Sequence, residues 1–315
     1  MPLLVSRFAP PALLRGGHAQ TILGALARSR TGRPYARQRW ELDDGDFLDL
    51  DWVREKNARL AILSHGLEGS AAQGYIRGLA AALGAAGWDV LAWNLRGCSG
   101  EPNRLPRFYH SGETGDLRRI VDRFAPDYAA VALVGFSLGG NITLKYLGEA
   151  PPHPRVTCAA AVSVPIDLAS CARRLDRDLG NSLYLRRFLQ SMRAKIAAKA
   201  RQFPGRFAVA DLSAVRTFEE FDGRYTGPLH GFRDAEDYWA QSSARQFLPR
   251  LTVPTLLLNA RNDPFLTPSC FPETEAAASP HLSLEAPDSG GHVGFVDLGL
   301  GPWWSRRVVD FLGAT

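Results

Sequence analysis

Cysteine is scarce in this 315-residue chain: Cys98, Cys158, Cys171 and Cys270 stand far apart, with no C-x-x-C pair. Scattered thiols are not a disulfide framework, so the expectation is reduced cysteines in a cytoplasmic protein. There is no cluster of Cys and His, no H-E-x-x-H, no Walker A and no G-x-G-x-x-G. Nothing in the pattern therefore calls for a metal or another cofactor, and none is expected. Long apolar runs are missing too. The N-terminal MPLLVSRFAPPALLRGG is interrupted by Arg7, two prolines and Arg15, which leaves no signal-peptide core. No window reaches the ~20 apolar residues of a membrane helix, so no stable membrane anchor is expected. Basic residues exceed acidic ones by only 37 to 32, too small a margin to argue nucleic-acid binding without a patch or motif. Internal repeats and low-complexity tracts are also lacking, which excludes solenoids and disordered scaffolds.

What remains is a globular composition, 45% hydrophobic, in which short apolar runs alternate with helical stretches. Ala58–Gly66, Asp89–Gly97, Ala129–Phe136, Val156–Pro165, Pro254–Asp263 and His281–Asp288 have the length of buried parallel strands. Helices are expected near Ala19–Ala27, over Gly74–Ala86 and Thr114–Phe124, after Ser137, and near Trp303–Leu312. Alternation of this kind builds βαβ units, hence an α/β fold with a mostly parallel central sheet flanked by helices. Arg37–Trp52, with Asp44-Gly45 between two alternating runs, reads as an antiparallel hairpin at a sheet edge. One domain spanning residues 1–315 is expected.

From Ile166 to Arg250 the alternation stops and only helices are expected. Leu185, Phe188, Leu189, Met192 and Ile196 fall on one helical face, among nine Lys/Arg against three Asp over Ile166–Gln202. Residues 166–250 thus read as a helical cap inserted between two strands. Its basic surface is either a solvated face or a lid that meets an anionic ligand or lipid.

The stretch Ala129–Asn141, AAVALVGFSLGGN, joins a buried strand to a helix through G-x-S-x-G. In that context the turn lifts Ser137 free of the sheet edge at a helix N-terminus, which suits a nucleophile. A serine hydroxyl needs a base, and the base needs an orienting acid. Downstream, Asp263 stands just past one strand and His292 on a glycine loop past the next, in the order Ser, acid, His. Asp167 and Asp288 are rival acids. His18, His110, His153, His230 and His281 are expected to make surface or structural hydrogen bonds, and His65 to brace its loop. Two backbone N–H groups must face the developing oxyanion; the expected donors are Leu138, after the serine, and Leu67, in His65-Gly66-Leu67.

The ordered set GGHAQTI, LSHGLEGS, NLRGCSGEPNRLPRFYHSGET, GFSLGGNI, RNDPF and SGGHVGF resembles the YheT-type hydrolases of the α/β-hydrolase superfamily over nearly the whole chain. GGHAQT departs from that family's usual N-P-H-x-Q-T. The resemblance implies an α/β-hydrolase fold with a helical cap, a Ser137–Asp263–His292 triad and carboxylic ester hydrolysis through an acyl-enzyme. It implies a small-molecule ester as partner, lipid-like in those eukaryotic members that act on acylglycerols and phospholipids. Those members often carry an N-terminal anchor, for which no apolar span is present here. An acyltransferase on the same scaffold and a non-catalytic ligand-binding protein of this fold are the alternatives. Acyl transfer to an added acceptor, or failure of a fluorophosphonate to label Ser137, would distinguish them.

Overall fold

A computed structural model describes residues 3–26, 35–299 and 302–314. The strands are β1 (Leu3–Leu4), β2 (Ala36–Glu41), β3 (Phe47–Val53), β4 (Arg59–Ser64), β5 (Asp89–Trp93), β6 (Ala130–Phe136), β7 (Val156–Val162), β8 (Thr255–Leu258) and β9 (Leu282–Glu285). They form one sheet in the order β1-β9-β8-β7-β6-β4-β5-β3-β2. Strands β4 to β9, and β1 against β9, run parallel, whereas β3 is antiparallel to both β2 and β5. The hairpin expected at Asp44-Gly45 is the β2–β3 pair, with Arg37 opposite Asp51 and Arg39 opposite Asp49. Both arginines fork onto those buried carboxylates at 2.8–2.9 Å.

The α-helices of six residues or more are α1 (Gly17–Leu26), α2 (Gly74–Ala85), α3 (Thr114–Phe124), α4 (Leu138–Glu149), α5 (Leu168–Arg177), α6 (Ser182–Gln202), α7 (Ala235–Ser242), α8 (Glu273–Ala278) and α9 (Trp303–Ala314). Because successive strand residues point to opposite faces, the sheet divides the core in two. Leu60, Ile62, Leu91 and Leu133 pack on one side with α3, α4 and the helices that follow β7. Ala61, Leu63, Val90 and Val134 pack on the other with Ile76 and Leu79 of α2 and Val308 and Leu312 of α9. Burial on both faces is why these strands read as continuous apolar runs.

Between β7 and β8 the chain forms only helical elements, among them a π-helical turn at Asp222–Thr226. Among the described residues no helix is long and apolar enough to cross a membrane. The long segment after β5 is organised by Arg96, whose side chain is fully buried. Its guanidinium binds Asp116 of α3 bidentately at 2.7 and 2.8 Å, Asp46 at 2.9 Å and Asp44 at 2.9 Å. Asp46 in turn accepts from the Asn103 side chain at 2.7 Å and the Arg104 N–H at 2.8 Å. A buried cation is tolerable here because three carboxylates satisfy its planar donors.

Candidate active site

Strand β6 ends at Phe136, and Ser137 follows with φ 51° and ψ −119° before α4 begins at Leu138. A residue with a Cβ disfavours this backbone region, so the surroundings must hold it there. The Ser137 N–H donates to the Val162 carbonyl at 2.9 Å, and its own carbonyl accepts from Asn141 at 3.0 Å. Two glycines permit the tight crossing. A Cβ on Gly135 would collide with the Gly139 carbonyl, and one on Gly139 with the carbonyls of Ser64 and His65.

Two further strand ends bring polar side chains to the same edge. Asp263 follows β8 with its side chain wholly buried, accepting from His292 Nδ1 at 2.8 Å and from the Phe265 N–H at 2.9 Å. The His292 ring lies on Phe265, with centroids 4.3 Å apart. The loop after β9 is fixed by its backbone: the Gly291 N–H donates to Asn262 Oδ1, the His292 N–H to Thr21 Oγ1, and the Val293 N–H to Ser163 Oγ. Neither rival acid is hydrogen-bonded to His292. Asp167 caps the N-terminus of α5, accepting from the Ser170 N–H, and Asp288 is exposed.

Ser137 and His292 open onto one apolar cavity of about 110 Å³, several times the space a single water needs. Leu67 and Leu138 also line it. Among the described residues neither of their backbone N–H groups has a hydrogen-bond partner. Gly66 lies against the serine, since a Cβ on it would sit 3.3 Å from Ser137 Cβ. His65 braces this loop from beneath: Nδ1 donates to the Gly66 carbonyl at 2.8 Å and Nε2 accepts from the Leu95 N–H at 3.1 Å. Burial pushes its pKa down to about 4, so the ring stays neutral.

The far wall comes from the helices between β7 and β8, including Leu168, Leu175, Phe188, Met192, Phe221 and Trp239. The apolar stripe of α6 is divided. Phe188 and Met192 face the cavity, while Leu189 and Ile196 are buried in the core and Leu185 packs on its margin. His110 was expected at the surface or in a structural bond; it makes such a bond, accepting from the Gly112 N–H, yet it also lines the cavity. Burial, and then the neighbouring His230, hold its pKa well below the usual value.

Strand, elbow, helix and the two following strand ends occur in one fixed order in a large group of enzymes, and the sequence profile of the alpha/beta hydrolase fold matches residues 62–297. The chain belongs to the α/β-hydrolase family. Within it, YheT of Escherichia coli (strain K12) is 36% identical over 98% of this chain and 93% of its own length. Phospholipase ABHD3 of Bos taurus is 25% identical over 94% of this chain and 75% of its own. Among solved structures, an esterase of Pyrococcus furiosus superposes with a TM-score of 0.59 at 18% identity, covering 89% of this chain and 91% of that one. The architecture is thus shared well beyond sequence similarity.

As an α/β-hydrolase of the YheT type, the protein has an N-terminal clamp that residue patterns do not reveal. Gln20 and Thr21 of α1, in the GGHAQT segment, reach the loop that carries His292. GGHAQT was visible as a motif, but its partner lies some 270 residues away, and no local signal connects the two. Glu68 and Lys195 of the cavity wall were likewise not singled out.

Proposed function

We propose that this hydrolase cleaves carboxylic esters through an acyl-enzyme. The observation that carries the reading is the 2.8 Å bond from His292 Nδ1 to the buried Asp263, at the rim of the cavity into which the strained Ser137 opens. Asp263 fixes the imidazole tautomer with its proton on Nδ1, leaving Nε2 to accept the Ser137 proton. Oγ then attacks the ester carbonyl, and the electron pair moves onto the carbonyl oxygen. Leu67 and Leu138 supply the N–H donors for that oxyanion, assisted by the N-terminus of α4. Collapse expels the alcohol oxygen, which takes the proton from His292. Water repeats the sequence on the acyl-enzyme and releases the acid, with the proton passing through the same imidazole. The Asp263 carboxylate stabilises the imidazolium at each transfer.

The helices of residues 166–250 act as the cap of this single-domain enzyme, and their apolar face supports an acyl group as what the cavity holds. An ester of a short-to-medium or lipid-like acyl chain is the substrate class that fits. Incubation of wild type and Ser137→Ala with a fluorophosphonate, followed by intact-mass measurement, tests the mechanism. One adduct on the wild type and none on the variant is expected; equal labelling of both would overturn it.

A further inference from the structure

A largely buried ion pair, its side chains still 10–12% exposed, crosses the cavity wall, and ester hydrolysis as described leaves it unused. Glu68 follows Leu67 directly and has φ 53°, in the left-handed region that a residue with a Cβ disfavours. Its N–H donates to the Tyr109 hydroxyl at 2.8 Å. Its carboxylate accepts from that hydroxyl at 2.6 Å and from Lys195 Nζ at 2.6 Å, both on Oε1, and from Ser191 Oγ at 2.5 Å on Oε2. Glu68 is the third residue of a turn closed by the Gly69 N–H donating to the Gly66 carbonyl at 3.0 Å. Lys195 and Ser191 are one turn apart on α6, on the same side as Met192 and Phe188, and Lys195 also meets Cys98 Sγ at 3.4 Å.

Apolar side chains would pack α6 onto the core at no desolvation cost, so a buried charge pair here is poorly explained as simple adhesion. What it does provide is direction. Leu67 and Glu68 are the two central residues of one turn, so holding the backbone and side chain of Glu68 holds that turn and, with it, the Gly66–Leu67 peptide to which the Leu67 N–H belongs. Burial works against the carboxylate, yet Lys195, Ser191 and Tyr109 hold its pKa below the usual value. For Lys195, Cys98 and Glu68 outweigh burial and raise its pKa. The pair therefore stays charged at neutral pH.

The geometry points to Glu68 as a positioning residue: it aims the Leu67 N–H at the oxyanion, and Lys195 and Ser191 of α6 fasten it there. Cap helix and oxyanion site are then seated together. This rests on the serine mechanism proposed above. Glu68 touches no reacting atom, so its effect should fall on the transition state more than on substrate binding.

Glu68→Gln keeps the shape and removes the charge. Its kcat should fall roughly 10–100-fold, less than outright loss of an oxyanion donor, with KM within about threefold of wild type. Affinity for a trifluoromethyl ketone, which forms a tetrahedral adduct, should fall by the same factor as kcat/KM. Affinity for the unreactive methyl ketone should hold. Because a lone buried Lys195 can impair folding, the double variant Glu68→Gln/Lys195→Met removes both charges and should show the same loss of kcat. If either variant folds and keeps wild-type kcat and trifluoromethyl ketone affinity, with only Tm lowered, the pair merely joins helix to core and the proposal is overturned. A raised KM with unchanged kcat overturns it equally. Ser137→Ala in the same assay separates the two levels: activity retained there refutes the serine mechanism, whereas an inactive Ser137→Ala beside an unaffected Glu68→Gln refutes only the positioning role.

Discussion

The side chain of Gln20 is paired with the backbone of Val296 in both directions: Nε2 donates to the Val296 carbonyl at 3.0 Å, and Oε1 accepts from the Val296 N–H at 2.6 Å. A primary amide here does what a neighbouring strand would do. A second bond from Nε2, to the Leu14 carbonyl at 2.7 Å, ties the pair to the chain just before α1. Thr21 is engaged in the same way by the His292 N–H at 2.8 Å. The N-terminal segment is therefore the outer support of the loop that presents His292.

Removing that support should cost both stability and rate. Gln20→Ala strands the half-buried N–H and carbonyl of Val296, at up to about 1–3 kcal/mol in all, below the cost of two fully buried unsatisfied groups. Urea unfolding should register a loss of that order. Esterase kcat should fall roughly tenfold, since small displacements of a proton-transfer group are costly. Wild-type values of both would mean that the loop needs no clamp.

Asp263→Asn should lower kcat by about 10³–10⁴-fold, because the amide favours the wrong imidazole tautomer. Asp167→Asn should change kcat little, since the aspartate serves α5 and an asparagine caps nearly as well. Steady-state kinetics of the two variants side by side distinguish the assignments, and a reversed order would transfer the acid role to Asp167.

Arg96→Met should be among the most damaging single changes, leaving Asp46 and Asp116 without a cation and Asp44 with only the partly exposed Arg107 and Arg119. Breaking such a buried cluster costs about 3–5 kcal/mol. Arg96→Lys should recover only part, because an ammonium cannot reproduce the bidentate fork on Asp116. Thermal melts of the three proteins should rank wild type, lysine, methionine.

Asp222 lines the cavity and donates nothing at neutral pH; it accepts from Trp239 Nε1 at 2.8 Å. Burial pushes its pKa up to about 6, with Thr226 and Trp239 offsetting part of the rise. Its folded value lies above the ordinary carboxylate value near 3.9. The folded state therefore binds more protons between about pH 4 and 6, and stability falls as pH rises through that window. Above it a penalty on the order of 1–3 kcal/mol persists. Asp222→Asn should accordingly melt higher than wild type at pH 8, with the difference shrinking towards pH 4.5. An unchanged gap at the two pH values would refute the buried-charge account.

Phe188 and Met192 on the cavity wall should make acyl-chain length matter. Each methylene buried contributes about 0.8 kcal/mol, or up to about fourfold in kcat/KM, until the space is full. The profile over C2 to C12 p-nitrophenyl esters should rise and then fall, and Phe188→Ala should move its maximum. A monotonic decline from acetate in the wild type would exclude an acyl role for this wall.

Much of the sheet was legible because its strands are buried on both faces and bounded by glycine, proline or charge: β4 to β9 all fall within the expected runs. The two-residue β1 was not, since two residues have no period. Helix α3 matches its expected Thr114–Phe124 because a strongly amphipathic pattern follows a polar start. The helices after β7 were legible only as helices; their arrangement, and the π-turn at Asp222 that packs on α7 and bonds Trp239, depend on contacts between elements. Ser137, Asp263 and His292 could be picked out because each stands at a strand end with glycine or a turn nearby. Asp167 carried an equally local signal of a different kind, an aspartate just ahead of a helix, which is the ordinary position of an N-cap. The roles of Gln20, Thr21, Glu68 and Lys195 arise from long-range pairings, and no spacing rule reaches them.

The β2–β3 hairpin also limits what this sheet can join. β2 is its outermost strand on that side, largely exposed, with Arg37 and Arg39 clamped sideways onto Asp51 and Asp49. At the other border, β1 offers, among the described residues, only Leu3 and Leu4. A strand from another molecule would thus meet a charge-rich edge strand on one side and, among the described residues, a two-residue template on the other. Both are devices by which open sheets resist edge-to-edge growth into fibrils.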